Sequence, residues 1–350
     1  MSRRVFLRLL VVVIVIAAVC VCVGGLSAQG RSGDAFERVR EVQQRHTAKL
    51  MAQKGVVGTA VGLSEGGQPA MLVLLEDASV PDIPTELDGV SVRPIITGKI
   101  EALASKKTPK AKGRPSQQKI DPTGWFQRPV PIGVSTGNRR ECSAGTIACR
   151  VSKGGAVYAL SNNHVYALEN DATAGKDGDD VVQPGLYDTR CVYNPGNVIG
   201  TLAAFEPIEF STAANNTIDA AIAVSSEDQL GISTPANGYG TPSSRTTDAT
   251  VGMAVQKYGR TTALTKGTVT GVDAIINIGY SSGTARFVDQ IIVQSKSPFI
   301  KAGDSGSLLV TDPDKNPVGL LFAGDSSGKF AIANHIDDVL ETFGVTIDGQ

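Results

Sequence analysis

Past about Val130 the chain never sustains a long apolar run. Its hydrophobic residues come in short stretches, each stopped by glycine, asparagine, aspartate or proline. That punctuation favours β structure rich in turns over a helical bundle. Strands are expected over 145–151, 157–161, 198–205, 220–224, 254–258, 266–274, 290–294, 307–310, 318–322 and 330–334. A closing helix is expected over 337–343, with Val339, Leu340 and Phe343 on one face. Ten short strands in succession suit an all-β double barrel or sandwich. The 39 glycines and the 5% of aromatic residues agree with that class, and the 41% of hydrophobic residues suffices for a packed core. A formal net charge of -1 gives no basic surplus, which argues against a nucleic-acid partner.

The first 28 residues read as a targeting segment. Arg3 and Arg4 precede an apolar run over 9–23, and small residues follow to Ala28. Ser2-Arg3-Arg4-Val5-Phe6-Leu7-Arg8 is similar to the twin-arginine export motif, and ordinary secretion fits equally. The expected location is therefore secreted or periplasmic. The alternative is an uncleaved anchor over 9–26, the one case in which a membrane becomes a partner.

Residues 33–104 read as a small α+β module. Phe36, Val39, Val42 and Leu50 recur at near-helical spacing, and strands are expected over 56–63, 70–75 and 90–96. His46 reads as a solvated residue on the helix. Residues 105–129 open with a basic, proline-containing stretch and read as a flexible linker. The third unit is 130–345. A pro-domain or regulatory role for the module is one expectation, and an accessory domain is the other.

The chemistry lies in three motifs. Ser305 sits in Ala302-Gly303-Asp304-Ser305-Gly306-Ser307, where small residues let the backbone turn tightly and aim amide hydrogens at one point. His164 ends the apolar run Val157-Tyr158-Ala159-Leu160 behind polar Ser161-Asn162-Asn163. Asp219 opens the apolar run 220–224, where a carboxylate can be buried against an imidazole. Asp171, Asp177, Asp179, Asp180 and Asp188 also follow His164, in a glycine-rich loop that suits a solvated surface or a weak Ca²⁺ site. Histidine, aspartate and serine in this order can form an acyl-transfer triad. His335, before the last helix, reads as structural. No spacing of cysteine and histidine suits zinc, and no cofactor or metal is expected. Of the cysteines beyond the targeting segment, Cys149 lies in a core strand pattern. Cys142 and Cys191 lie in turn-rich context and are the expected disulfide.

The segment from about Cys142 to Phe343 resembles bacterial trypsin-like serine peptidases of the chymotrypsin fold. The resemblance rests on Tyr158–Ala167 around the histidine, Ile218-Asp219-Ala220-Ala221-Ile222, the Gly303–Gly306 turn, and Val255-Gln256-Lys257-Tyr258-Gly259-Arg260-Thr261-Thr262. It implies a mainly β, chymotrypsin-like double β-barrel, here preceded by the small α+β module. His164 and Asp219 would come from the first barrel and Ser305 from the second, with the amides of Gly303 and Ser305 as the oxyanion hole. It also implies a cation beside Asp304: Lys257, with Arg260 as fallback. The base of a specificity pocket would lie near Phe299 and Phe322-Ala323-Gly324. No carboxylate stands at Phe299, so a preference for Lys or Arg gains no support. Three positions depart from the family pattern: Asn163 before the histidine, Val165 after it, and Ser307 after the nucleophile turn. The implied activity is an exported serine endopeptidase acting on polypeptide. The alternative is a catalytically silent domain that binds peptides or cell-envelope partners.

Overall fold

A computed structural model describes residues 33–103 and 120–350. The expected targeting segment and the basic stretch up to residue 119 lie outside the described residues.

The N-terminal segment begins with helix α1 (33–51), whose Val39, Val42 and Leu50 are buried. It is followed by β1 (Val56–Leu63), β2 (Pro69–Leu75), β3 (Glu86–Leu87), β4 (Val90–Ile96) and β5 (Ile100–Ala102). β1 is buried along nearly its whole length, and its residues divide between two hydrophobic clusters. That is the pattern of a strand covered on both faces. One cover is α1, tied to Thr59 through Gln43 and Thr47.

The first barrel contains β6 (Ser135–Asn138), β7 (Gly145–Thr146), β8 (Arg150–Lys153), β9 (Ala156–Ser161), the one-turn helix α2 (Asn163–Tyr166), β10 (Asp180–Val182), β11 (Val198–Phe205) and β12 (Ala221–Ser225). The second barrel contains β13 (Ala254–Gly259), β14 (Ala263–Tyr280), β15 (Gly283–Gln294), β16 (Leu308–Thr311), β17 (Pro317–Asp325) and β18 (Phe330–His335). Helix α3 (Ile336–Phe343) then returns to the first barrel, where β19 (Thr346–Ile347) pairs with β8. The first sheet runs β19-β8-β9-β12-β11-β10-β6-β7. In the second, β13-β16-β17-β18-β15-β14 closes into a ring through the β13–β14 pairing. The fold is thus a mainly β double barrel.

The structure departs from the sequence expectations in two places. The N-terminal segment is not set apart from the second barrel. β1 pairs antiparallel with β14, with Gly58 opposite Ile276 and Thr59 opposite Ile275, so β1, β2, β4 and β3 extend the barrel's own sheet. Gly58 permits this approach, because a Cβ there would lie 2.6 Å from the Ile275 carbonyl oxygen. The two parts also share hydrophobic cores: Met71 and Val73 join the cluster of Val293 and Leu321, and Leu72 and Leu74 join that of Phe287 and Phe322. The second departure is at 120–129, expected as linker. Phe126 donates its amide to Gln183 Oε1 at 3.2 Å, and Arg128 bonds Phe126 and Gln229. These residues lie anchored on the first barrel because a buried glutamine side chain needs partners.

Candidate active site

Strand register brings His164 and Asp219 together. β9 and β12 are antiparallel neighbours with Ser161 opposite Ala221. The residues just after β9 therefore lie beside those just before β12. His164 Nδ1 is 2.5 Å from Asp219 Oδ2, and the His164 amide donates to Asp219 Oδ1 at 3.2 Å. Asn162 fixes the same corner by donating to the Asp219 carbonyl at 2.7 Å. Asn334, from β18, accepts from the Asp219 amide at 3.0 Å, which links this corner to the second barrel. His164 is 1% exposed and Asp219 0%.

Ser305 lies in the turn before β16. Gly303 and Gly306 flank it with φ of 96° and 90°, in the left-handed region where glycine costs least. A Cβ at Gly306 would lie 2.2 Å from the Thr146 carbonyl oxygen. The turn is fastened to the first barrel: the Thr146 amide donates to the Ser305 carbonyl at 2.8 Å, and Thr146 Oγ1 donates to the Gly303 carbonyl at 2.9 Å. The hydroxyl of Ser305 is not on the imidazole. It donates to the Phe322 carbonyl at 3.0 Å, while His164 Nε2 is buried with no hydrogen-bond partner among the described residues.

Asp304 is caged. Its carboxylate accepts from the amides of Lys301, Thr261 and Thr262 and from the Thr262 hydroxyl, at 2.8–3.1 Å. Lys257 Nζ lies 3.5 Å from it, with both side chains fully buried. Burial pushes the Lys257 pKa below its ordinary value, and the Asp304 carboxylate opposes that shift. Arg260 does not serve Asp304. It forms a bidentate pair with Asp188 at 2.6 and 2.8 Å. Asp188 is therefore a buried ion-pair partner and not a solvated loop residue. Asp179 is likewise buried, against Asn138 and Arg140.

Cys142 and Cys191 are joined in a disulfide, and Cys149 is a buried free thiol. His46 bonds Asp88 Oδ2 at 2.9 Å within the N-terminal segment. His335 Nε2 lies 3.6 Å from Asp289.

The sequence reading missed Tyr280, whose hydroxyl donates to Asp219 Oδ2 at 2.9 Å. It stands at the end of β14, and its ring meets His164 edge-on at 6.0 Å between centroids. Burial and the neighbouring Asp219 charge push its pKa well above the ordinary tyrosine value, so it stays a donor. Glu169 pins the adjacent hairpin tip by accepting from the Ser281 hydroxyl and the Ser282 amide at 2.6 and 2.8 Å.

Of the expected specificity-pocket residues, Phe299, Phe322 and Ala323 are fully buried, and Gly324 lies beside Ile300. Strand β5 of the N-terminal segment runs antiparallel along this wall, with Ala102 opposite Ala323 and Glu101 opposite Gly324.

No protein-family model matches the chain, and no curated protein matches it. Similar solved structures do exist. One is a glutamic acid-specific serine protease, 22% identical, covering 62% of this chain and 100% of its own, with a TM-score of 0.44. Protease A of Thermobifida fusca is 18% identical over 63% of this chain and 98% of its own, with a TM-score of 0.44. A Nocardiopsis protease is 16% identical over 62% and 97%, with a TM-score of 0.43.

Proposed function

We propose that this chain is an exported serine endopeptidase that works through an acyl-enzyme on Ser305. The observation that carries the reading is the buried imidazole of His164. One ring nitrogen is held by Asp219 and the other is left without a partner among the described residues, and Ser305 stands in a glycine-flanked turn fastened to the same barrel through Thr146. A nitrogen in that state is a base with its acceptor site open. Asp219, bonded to Nδ1, selects the tautomer with its lone pair on Nε2 and stabilises the imidazolium that forms. Rotation about χ1 of Ser305 releases its hydroxyl from Phe322 toward that lone pair. The amides of Gly303 and Ser305 then receive the negative oxygen of the tetrahedral intermediate. The Lys257–Asp304 pair would hold those amides in shape with no new chain terminus required. Lys257 and Asp304 are thus positioning residues. Export is supported by the leader-like first 28 residues and by the disulfide, which persists in oxidising compartments.

A second reading follows from the Ser305 hydroxyl bonding Phe322 and not His164. In a silent, peptide-binding domain that arrangement would be permanent. A fluorophosphonate probe separates the two: the peptidase forms a stable adduct on Ser305, and a silent domain forms none. A Ser305→Ala variant should lose all labelling.

A further inference from the structure

The last described residues of the N-terminal segment lie in the site as a substrate would. Leu103 is held on both sides by the groups that surround the nucleophile. Its amide donates to the Phe322 carbonyl at 3.3 Å, and its carbonyl accepts from the Gly303 amide at 2.5 Å. Gly303 is one of the two amides assigned above to the oxyanion. Before Leu103, β5 adds to the edge of β17 in antiparallel register, with Ile100 opposite Asp325. Strand addition of this kind aligns a peptide by its main chain and leaves alternate side chains to fill pockets. The Leu103 side chain is partly buried against the cluster that holds Phe299 and Ile300. Its Cδ1 comes within 3.0 Å of the point where Gly324 would carry a Cβ, so any larger residue at 324 would intrude on it. Ser305 itself is fully buried. Main-chain pairing, carbonyl placement and side-chain burial thus all assign residues 100–103 to the acyl side of the cleft.

We infer that the chain is its own first substrate, cut by Ser305 on the carboxyl side of Leu103, and that the site selects a medium-sized apolar side chain there. The inference rests on the peptidase reading and deepens it. Ser305 Oγ bonds to the Leu103 carbonyl carbon while its proton passes to His164 Nε2. The C–N bond to residue 104 breaks, and the departing nitrogen takes that proton, leaving a new amino terminus at Ala104. Water then adds to the ester carbon, giving up a proton through His164, and Ser305 is regenerated with Leu103 as a carboxylate. The cut does not by itself free the N-terminal segment, because β1 remains hydrogen-bonded to β14.

The test uses the full-length chain, purified and incubated at neutral pH, then denatured for intact mass measurement and sequencing of new termini. The wild type should split completely into two fragments, with the second beginning at Ala104. Ser305→Ala should remain whole. Leu103→Asp should slow that cut by about a hundredfold or more, as loss of apolar complementarity in a pocket does. Should Leu103→Asp fold poorly, Gly324→Val provides the second variant, because it crowds the same pocket from the opposite wall. A wild-type chain that stays whole yet takes the fluorophosphonate label overturns self-cleavage and leaves the peptidase reading standing. A chain that stays whole and takes no label overturns both. A cut at any other bond, unchanged in Leu103→Asp, also overturns the inference.

Discussion

Asp219 receives two side-chain donors on one oxygen, His164 Nδ1 at 2.5 Å and Tyr280 at 2.9 Å. The tyrosine therefore steadies the carboxylate that holds the His164 ring. Tyr280→Phe removes a hydrogen bond to a charged acceptor, at an expected cost of about 1.5–3 kcal/mol in urea unfolding. The same residue carries a pH signature. Its folded pKa lies above the unfolded value, so between pH of about 10 and the folded pKa the native state binds more protons than the unfolded one. Its stabilising contribution is fully present below that window and falls as pH rises through it. Unfolding curves at rising alkaline pH should show a shallower decline in Tyr280→Phe than in the wild type. At Asp304 the expected effect is larger. Lys257→Met leaves a buried carboxylate without its cation, costing about 3–5 kcal/mol. Acylation of Ser305 should slow in that variant while the His164–Asp219 contact, followed by its low-field proton resonance, persists. Residues of this kind are legible only in part. Lys257 stood in a motif, whereas Tyr280 lies 61 positions from Asp219 in the chain, and no local pattern could announce the contact.

At the scale of elements, short strands were readable from alternation in β4 and from a largely apolar run between turn residues in β1. The long hairpin was not. β14 was expected over 266–274 and extends over Ala263–Tyr280, because about two thirds of its residues remain partly or fully exposed and interrupt the apolar pattern. β5 escaped notice because three residues carry no period, and its pairing with β17 is set by tertiary contact. The sheet shared between β1 and β14 was equally hidden, since pairing partners over 200 positions apart leave no trace in spacing. Its chemical requirement is visible only in hindsight, at Gly58. Gly58→Val would drive two methyls toward the Ile275 carbonyl oxygen, 2.6 Å from the Cβ position. Amide hydrogen exchange should then quicken along β14 from Gly271 to Ile276 while β9 and β12 keep their protection. Unchanged exchange in β14 would contradict the role given to that pairing.

Across the whole molecule, loops of the first barrel are clamped to the Gly303–Gly306 turn of the second. Thr146 bonds both Gly303 and Ser305, and Asp188 holds Arg260 beside them. The Cys142–Cys191 disulfide closes the loop that carries Asp188. Replacing both cysteines by serine should lower stability by about 2–4 kcal/mol. It should also slow acylation, because the Asp188–Arg260 clamp loosens. The central claim is that Ser305 is a nucleophile activated by His164. Its most direct measurement is the rate of fluorophosphonate adduct formation, read by intact mass and located by peptide sequencing, in wild type and in His164→Ala. The adduct should form on Ser305 and slow by about a hundredfold or more without the imidazole. An adduct that forms equally fast without His164, or none on Ser305 in the wild type, would contradict the account.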